Sequence, residues 1–356
     1  MKLLVTSLWF FSCELLYVEA EVDESGYFRG LGPVNGDPND KFYYMQKAYL
    51  EAISIPEAWS ILDPIAKRRP VTIAVIDDGI EATHPDLEGT VIKGYNVIDK
   101  NYDTSPRGHH GTSMAGIIGA IRNNMIGLAG ILDSVRILPI FDGEAPSFPA
   151  MVDAFTYLIN KRKDDVKVIL MTEGSDSESS QALTDKIQEA NAAGMLVVVT
   201  AGNKHRDLDI NPDFPCSFGR SPADGVLCVA ATYGPNMQLT DGSNFGSAVD
   251  IAAPGNGIVT TDLKGEYATG RGTSHAAAIV AGIAGMLYSL EPSLKAKLTP
   301  AYIKSIIKDT ATQGVKDSKG VETLTFGRVN AAAAVKRYLG EKGLIFALTR
   351  LMMMES

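Results

Sequence analysis

The sequence contains few cysteines, fewer basic than acidic residues and almost no long apolar runs. Three cysteines among 356 residues are too few for a small disulfide-built scaffold. Lysine and arginine number 33 against 42 aspartates and glutamates, for a formal net charge of −9. We therefore expect no nucleic-acid partner, because binding to phosphates depends on clustered Lys and Arg. Hydrophobic residues make up 45% of the chain, which excludes wholesale disorder.

The N-terminus has the pattern of a targeting segment. Lys2 precedes the apolar stretch Leu3–Phe11, and residues 18–20 (VEA) are typical of a cleavage site. The pattern predicts a signal peptide at residues 1–20. A membrane anchor is the alternative, although the stretch is much shorter than the ~20 residues that a span needs. After cleavage we expect no membrane span and a location in the secretory-pathway lumen or outside the cell.

Two cysteines remain if cleavage follows Ala20, because Cys13 leaves with the signal peptide. Cys216 and Cys228 form an even pair, and an oxidising compartment would favour a disulfide between them. The alternative is a pair of buried thiols, since free cysteine is often found in protein cores. The sequence leaves both possibilities open.

The rest of the chain divides into an arm, one large domain and a tail. Residues 21–40 are rich in Gly, Pro and acids without any period and indicate an arm or linker. Residues 41–340 alternate between continuous apolar runs and helix-like stretches, which predicts an α/β fold with a mainly parallel sheet covered by helices on both faces. Residues 341–356 form a C-terminal tail. The predicted strands are Val71–Asp77, Val166–Met171, Met195–Ala201 and Val226–Thr232, and the predicted helices include Phe148–Lys161, Gln181–Ala193 and Ser274–Leu290.

Chemically capable side chains stand where an α/β sheet places its sites, outside the carboxyl ends of the strands. Asp77 ends the first predicted strand, Asn203 follows a later one, and Ser274 begins a buried helix, while His110 stands in the run 109–112 (HHGT) after the first strand. A serine needs a base to take its proton. An imidazole can do so near neutral pH, and a carboxylate fixes the imidazole tautomer. These residues therefore suit acyl transfer.

The order Asp…His…Ser is that of subtilisin, and the surrounding motifs resemble those of the subtilisin-like serine proteases, the subtilase family (peptidase S8). The similarity extends from about Asp37 to Leu339. It implies a three-layer α/β/α fold and peptide-bond hydrolysis. The matching segments are residues 74–80 (AVIDDGI), 84–87 (HPDL), 110–112 (HGT), 201–203 (AGN), 249–255 (VDIAAPG) and 272–274 (GTS).

The resemblance implies roles for individual residues. Asp77, His110 and Ser274 would form the catalytic triad, and Asn203 would donate to the oxyanion. Asp78 would face the substrate cleft, or would be an ordinary turn acid. The wall of the primary specificity pocket would be formed by Thr172, Glu173 and Gly174.

Glu173 is a charge where the family usually has a hydrophobic residue. Together with Asp78, Asp176 and Glu178, it predicts an acidic substrate channel that tolerates basic residues around the scissile bond. The alternative is that Glu173 points into solvent.

The resemblance also suggests a structural calcium ion. Asp86 and Asn124 occupy the positions of a carboxylate and an amide that family members use, and Asp37 could complete the site. Oxygen-only ligands suit Ca²⁺, while an ordinary loop is the alternative. The chemistry itself needs no cofactor.

Three further features depart from the family pattern. His275 follows the serine where methionine is usual, and Arg271 replaces a small residue before the run 272–274 (GTS). The segment 21–40 is much shorter than the pro-domain of several tens of residues that secreted relatives carry. Folding without a pro-domain, missing upstream sequence and a degenerate copy are all compatible with this.

We therefore expect a secreted, monomeric serine endopeptidase that acts on polypeptides. A catalytically weak relative that binds peptides or partners is the alternative. A nucleotide-binding α/β protein is disfavoured, since residues 30–32 (GLG) do not follow a strand.

Overall fold

The computed structural model describes residues 36–65, 68–145, 147–174, 180–218, 224–291 and 298–341. The predicted signal peptide (1–20), most of the arm (21–40) and all but the first residue of the tail (341–356) lie outside these ranges. The domain boundaries therefore stay predictions. The segment 175–179, with Asp176 and Glu178, also lies outside the described residues.

A seven-stranded sheet forms the centre of the domain, in the order β2-β3-β1-β4-β5-β6-β7, and every neighbouring pair is parallel. A separate antiparallel ribbon pairs β8 with β9. The strands are β1 (Val71–Asp77), β2 (Tyr95–Asn96), β3 (Val135–Phe141), β4 (Val166–Met171), β5 (Leu196–Thr200), β6 (Val226–Thr232), β7 (Ile251–Pro254), β8 (Asn256–Thr261) and β9 (Tyr267–Arg271).

Helices surround this sheet. Three of them begin at a Ser or Thr whose hydroxyl accepts a backbone N–H of the first turn, at Ser147, Ser180 and Thr299, as expected for N-caps. The helices are α1 (Tyr43–Ala52), α2 (Ile55–Leu62), α3 (His110–Gly119), α4 (Phe148–Arg162), α5 (Gln181–Ala192), α6 (Thr273–Ser289), α7 (Pro300–Asp309) and α8 (Ala331–Glu341).

The central strands are apolar on both faces because each face covers a separate core. In β1, Ile73 and Val75 belong to one core, which also contains the apolar residues of α6. Ala74 and Ile76 point the other way, into a core shared with α4 and α5. The sheet therefore lies between two helical layers, and the predicted α/β fold with a mainly parallel sheet is confirmed.

Helix α6 runs through the first core, and every one of its residues is buried. Small side chains allow this close packing: the hydrogens of Gly282 face Ile131, and those of Gly285 face Leu132 and Ile73. The helix is thereby fixed with its N-terminus near the carboxyl edge of the sheet, where Ser274 lies in its first turn.

Cys216 and Cys228 form a disulfide, with their Cα atoms 5.1 Å apart, so the question that the sequence left open is answered. Cys216 begins a short 3₁₀ turn and Cys228 lies within β6. Both are fully buried. The bond therefore ties the loop after β5 to the sheet.

Candidate active site

The paired side chains of Asp77 and His110 lie at the carboxyl edge of the sheet. Asp77 is the last residue of β1 and His110 the first of α3. The two Asp77 carboxylate oxygens lie 2.9 and 3.0 Å from His110 Nδ1. Burial lowers the pKa of His110, but the Asp77 carboxylate opposes it and, with the charges of Glu173 and Asp78, raises the pKa to about 9. The Asp77 contact fixes the tautomer and leaves Nε2 as the proton-accepting nitrogen.

Two further groups hold the Asp77 carboxylate in place. The backbone N–H of Asp78 donates to Oδ1 at 2.9 Å, and the hydroxyl of Thr172 donates to Oδ2 at 3.0 Å. Thr172 follows β4, the strand beside β1. Its hydroxyl therefore orients the aspartate, a contact that sequence reasoning missed because the two residues are far apart in the chain.

Asp78 caps helix α3 with its carboxylate. Oδ1 accepts the N–H of Gly111 at 2.8 Å, and Oδ2 accepts that of His110 at 3.2 Å. A carboxylate at a helix N-terminus is favoured by the helix dipole. Burial and the nearby charge of Asp77 nevertheless raise its pKa. The acidic side chain expected to face the cleft is thus engaged in positioning the histidine.

Ser274 is 8% exposed and lies in the first turn of α6, so its backbone N–H belongs to the unpaired donors of a helix start. The ring of the following residue, His275, lies edge-on to His110, with the ring centroids 6.4 Å apart. Burial, together with the charges of His110 and His109, lowers the pKa of His275 to about 4. His275 is therefore a neutral ring beside the candidate base.

Asn203 is oriented by the residue before the serine. Its Oδ1 accepts the backbone N–H of Thr273 at 2.9 Å and the Thr273 hydroxyl at 3.1 Å. With the oxygen engaged, the amide N–H₂ is the end that remains to donate. Gly272 adopts φ +131, and an added Cβ there would lie 3.2 Å from Asn203 Oδ1, so a side chain at this position would disturb the amide.

The segment after β4 carries the predicted pocket wall. Glu173 is half-buried and Gly174 is exposed. Burial and the charge of Asp77 raise the pKa of Glu173. The hydrogens of Gly174 face the carbonyl of Phe214, two residues before the disulfide. The segment just before the disulfide therefore packs against this wall.

The two predicted calcium ligands lie side by side. Asp86 Oδ1 accepts the amide N–H of Asn124 at 2.7 Å, and its Oδ2 accepts the backbone N–H of Leu128 at 2.9 Å. Asp86 is fully buried, and burial raises its pKa to about 6. The oxygen of Asn124 accepts the N–H of Ile126. In this arrangement Asn124 donates to the carboxylate.

The third expected ligand, Asp37, pairs with Lys47 at 2.7 Å instead. Asp40 takes the place beside the loop, where both of its oxygens accept the N–H of Asn123 at 3.0 Å. Across the described ranges, no group of three or more His, Cys, Asp or Glu side chains is arranged to hold a metal ion.

The sequence profile of the subtilase family matches residues 68–329. The chain belongs to the subtilase family. The resemblance seen in the motifs is therefore confirmed, and the matched region contains Asp77, His110, Asn203 and Ser274.

Named relatives agree with this assignment. Thermitase of Thermoactinomyces vulgaris is 31% identical over 303 residues, which are 84% of this chain and 99% of thermitase. A thermophilic serine proteinase of Bacillus sp. (strain AK1) is 33% identical over 252 residues, or 71% of this chain and 60% of that protein. The family and these relatives place the subtilase among the serine-type endopeptidases, which act on polypeptides.

Solved structures give the same picture. A protease from Pseudoalteromonas arctica superposes with a TM-score of 0.73 at 26% identity, covering 85% of this chain and 99% of its own. A cold-adapted subtilisin-like serine proteinase gives a TM-score of 0.61 at 25% identity, with coverages of 74% and 87%. No helix among the described residues of the subtilase is long and apolar enough to cross a membrane.

Proposed function

We propose that this subtilase hydrolyses peptide bonds through Asp77, His110 and Ser274. His110 Nε2 takes the proton of the Ser274 hydroxyl as its oxygen attacks the substrate carbonyl, and then returns that proton to the leaving amine. Water repeats the same steps to release the acyl group. The hydrogen bond of 2.9 Å between His110 Nδ1 and Asp77 is the observation that carries the proposal.

The oxyanion formed during attack is stabilised by the Asn203 amide and the backbone N–H of Ser274. Thr273 binds Asn203 Oδ1, so the amide N–H₂ points away from it and can donate. The start of α6 adds a second donor and the positive end of the helix dipole. Both groups are held before the substrate arrives, which is what makes such donors effective.

The substrate is an extended polypeptide segment that pairs with residues 172–174. The segment that follows β4, the strand beside β1, would receive such a peptide by strand addition. Glu173 contributes a partly buried negative charge, which favours substrates with basic residues near the scissile bond. Asp78 contributes less to substrate binding, because its carboxylate is engaged at the start of α3.

The protein acts outside the cell or in the secretory pathway. A buried disulfide is typical of proteins made in oxidising compartments, and an extracellular basic protease of Dichelobacter nodosus is 27% identical over 358 residues. N-terminal sequencing of the secreted protein should begin at Glu21. An intact residue 1 would contradict signal cleavage.

Reaction with a fluorophosphonate probe tests the triad. Wild-type protein should be labelled rapidly, because the probe requires an activated serine, while Ser274→Ala should show background labelling only. Equal labelling of the two proteins would overturn the enzyme proposal and favour a peptide-binding relative. Ser289→Ala, in the last turn of the same helix, is the matched control and should be labelled like the wild type.

A calcium ion would be held by Asp86, with Asp40 close by, and the Asn124 amide, which donates to Asp86 in the free protein, would turn its oxygen to the ion. The oxygen donors suit Ca²⁺, and two carboxyl groups with pKa values raised by burial fit a site that gains from a cation. The ion would stabilise the loop 121–128. Adding EDTA should lower the melting temperature, and Asp86→Asn should abolish that response. An unchanged melting temperature with EDTA would exclude the ion.

A further inference from the structure

Asp142 is a buried carboxyl group that the proposed mechanism does not use. It directly follows β3 and is 1% exposed. Among the described residues, no other residue donates a hydrogen bond to either of its carboxylate oxygens. Buried polar groups are normally hydrogen-bonded, and an exception calls for an explanation.

No basic side chain in the described ranges forms an ion pair with Asp142. Burial, followed by the negative charges of Asp77 and Glu173, raises its pKa to about 8. A cation placed against the carboxyl group would relieve both its desolvation and this repulsion. The carboxyl group is therefore suited to a positively charged ligand.

A cavity of about 370 Å³ is lined by Asp142 and adjoins the catalytic edge of the sheet. Phe141, the residue before Asp142, pairs in register with Asp77. The backbone N–H of Asp142 donates to the carbonyl of Asp77 at 3.4 Å. A side chain entering the cavity would thus belong to a substrate residue close to the scissile bond.

The cavity wall combines apolar and acidic groups. Ile98 and Phe141 provide apolar surface, and Asp99 and Glu144 add two exposed carboxylates. A long side chain with an apolar stem and a cationic end matches such a wall, because the stem packs on apolar surface while the charge meets the acids.

Arg107 also lines the cavity, but its guanidinium already has other partners. Its guanidinium pairs with Asp103 at 3.2 Å and lies over the ring of Phe141 at 5.7 Å. One arginine faces three carboxyl groups, so the cavity has an acidic excess.

We propose that this cavity binds a lysine or arginine side chain of the substrate, with Asp142 as its inner counter-ion. The inference rests on the proposed protease function. The cavity would be a second specificity site on the β3 side of Asp77, in addition to the site predicted at Glu173 on the β4 side. The carboxylate is shielded in the free protein, so the adjoining turn shifts on binding. Gly143, at φ +115, lies in that turn.

Peptide cleavage tests the proposal. A positional library should first identify a substrate position that favours Lys or Arg. Matched peptides with lysine, its uncharged isostere norleucine, or glutamate at that position then give kcat/KM ratios. We expect lysine to exceed norleucine about tenfold in the wild type, as for a charge-assisted contact, and Asp142→Asn to remove most of this ratio. Asp185→Asn, which removes an exposed charge on α5, should leave the ratio and the rates unchanged.

The outcomes separate the two proposals. Absent fluorophosphonate labelling of the wild type would overturn the protease function itself. Normal labelling without any preference for lysine, or a preference that Asp142→Asn retains, would overturn only the inference about the cavity. A preference for glutamate would also overturn it and point to Arg107. If Asp142→Asn fails to fold, Glu144→Gln at the cavity mouth should lower the lysine ratio about twofold, and an unchanged ratio would count against the proposal.

Discussion

Replacing Cys216 and Cys228 together by alanine removes a cross-link between residues 12 positions apart. In the chain-entropy description, closing a loop of this length stabilises the folded state by about 3 kcal/mol, because the unfolded chain loses conformational freedom. For a domain of this size we expect the melting temperature to fall by about 5–10 °C. Phe214, two residues before the disulfide, packs against Gly174, so the pocket wall should loosen as well.

Urea unfolding in a Ser274→Ala background, which prevents self-digestion, measures this effect. Cys216→Ala alone should cost about as much as the double variant, because either change breaks the same bond. Losses that add between the two single variants would show that side-chain packing, rather than the cross-link, is being measured. A double variant that unfolds at the wild-type urea concentration would refute the reasoning.

Three further results are expected. Because the base must be neutral and the pKa of His110 is raised to about 9, kcat/KM should rise about tenfold per pH unit up to about pH 8 and level off above about pH 10. Glu173→Gln should shift this rise to lower pH. A wild-type kcat/KM that rises with a midpoint near pH 6.5 would contradict the assignment. Thr172→Val should lower kcat/KM about tenfold by removing a hydrogen bond to a charged carboxylate, with little change in melting temperature; an unchanged kcat/KM would exclude the orienting role. Gly272→Ala should lower the free energy of unfolding by about 1–3 kcal/mol through strain at positive φ, as measured by urea unfolding, and should lower kcat by displacing Asn203. A variant as stable as the wild type would show that no strain is present.

Local sequence patterns were sufficient for much of the fold. The predicted strands Val71–Asp77, Val166–Met171 and Val226–Thr232 coincide with β1, β4 and β6, because strands buried on both faces are apolar throughout. Helix α6 begins one residue before its predicted start. Strands β2, β3 and β7 and the antiparallel ribbon of β8 and β9 were not predicted. β2 and β7 are short and β9 is partly exposed, while Arg136 and Pro139 interrupt the apolar run of β3.

The candidate site was predictable where motifs are local and unpredictable where separate strands meet. Asp77 and His110 follow from their motifs, and they lie in hydrogen-bond contact. The Thr172 hydroxyl on Asp77 could not be foreseen, because it depends on the register between β1 and β4. Asp40, and not the expected Asp37, lies beside the loop 121–128. This depends on how the N-terminal segment crosses that loop, which hydrophobic periodicity does not predict.

By itself, the sequence determined the family, the α/β architecture and the identity of the groups able to do acyl-transfer chemistry, because these depend on short motifs and on apolar runs that each strand carries alone. Only the tertiary structure decided what each acidic side chain does. Asp77 contacts an imidazole and Asp78 caps a helix. Asp142 is buried beside a cavity, and no other residue that the structure describes donates a hydrogen bond to it. The function of a carboxyl group depends on its burial and on the charges around it, and both arise when distant strands come together.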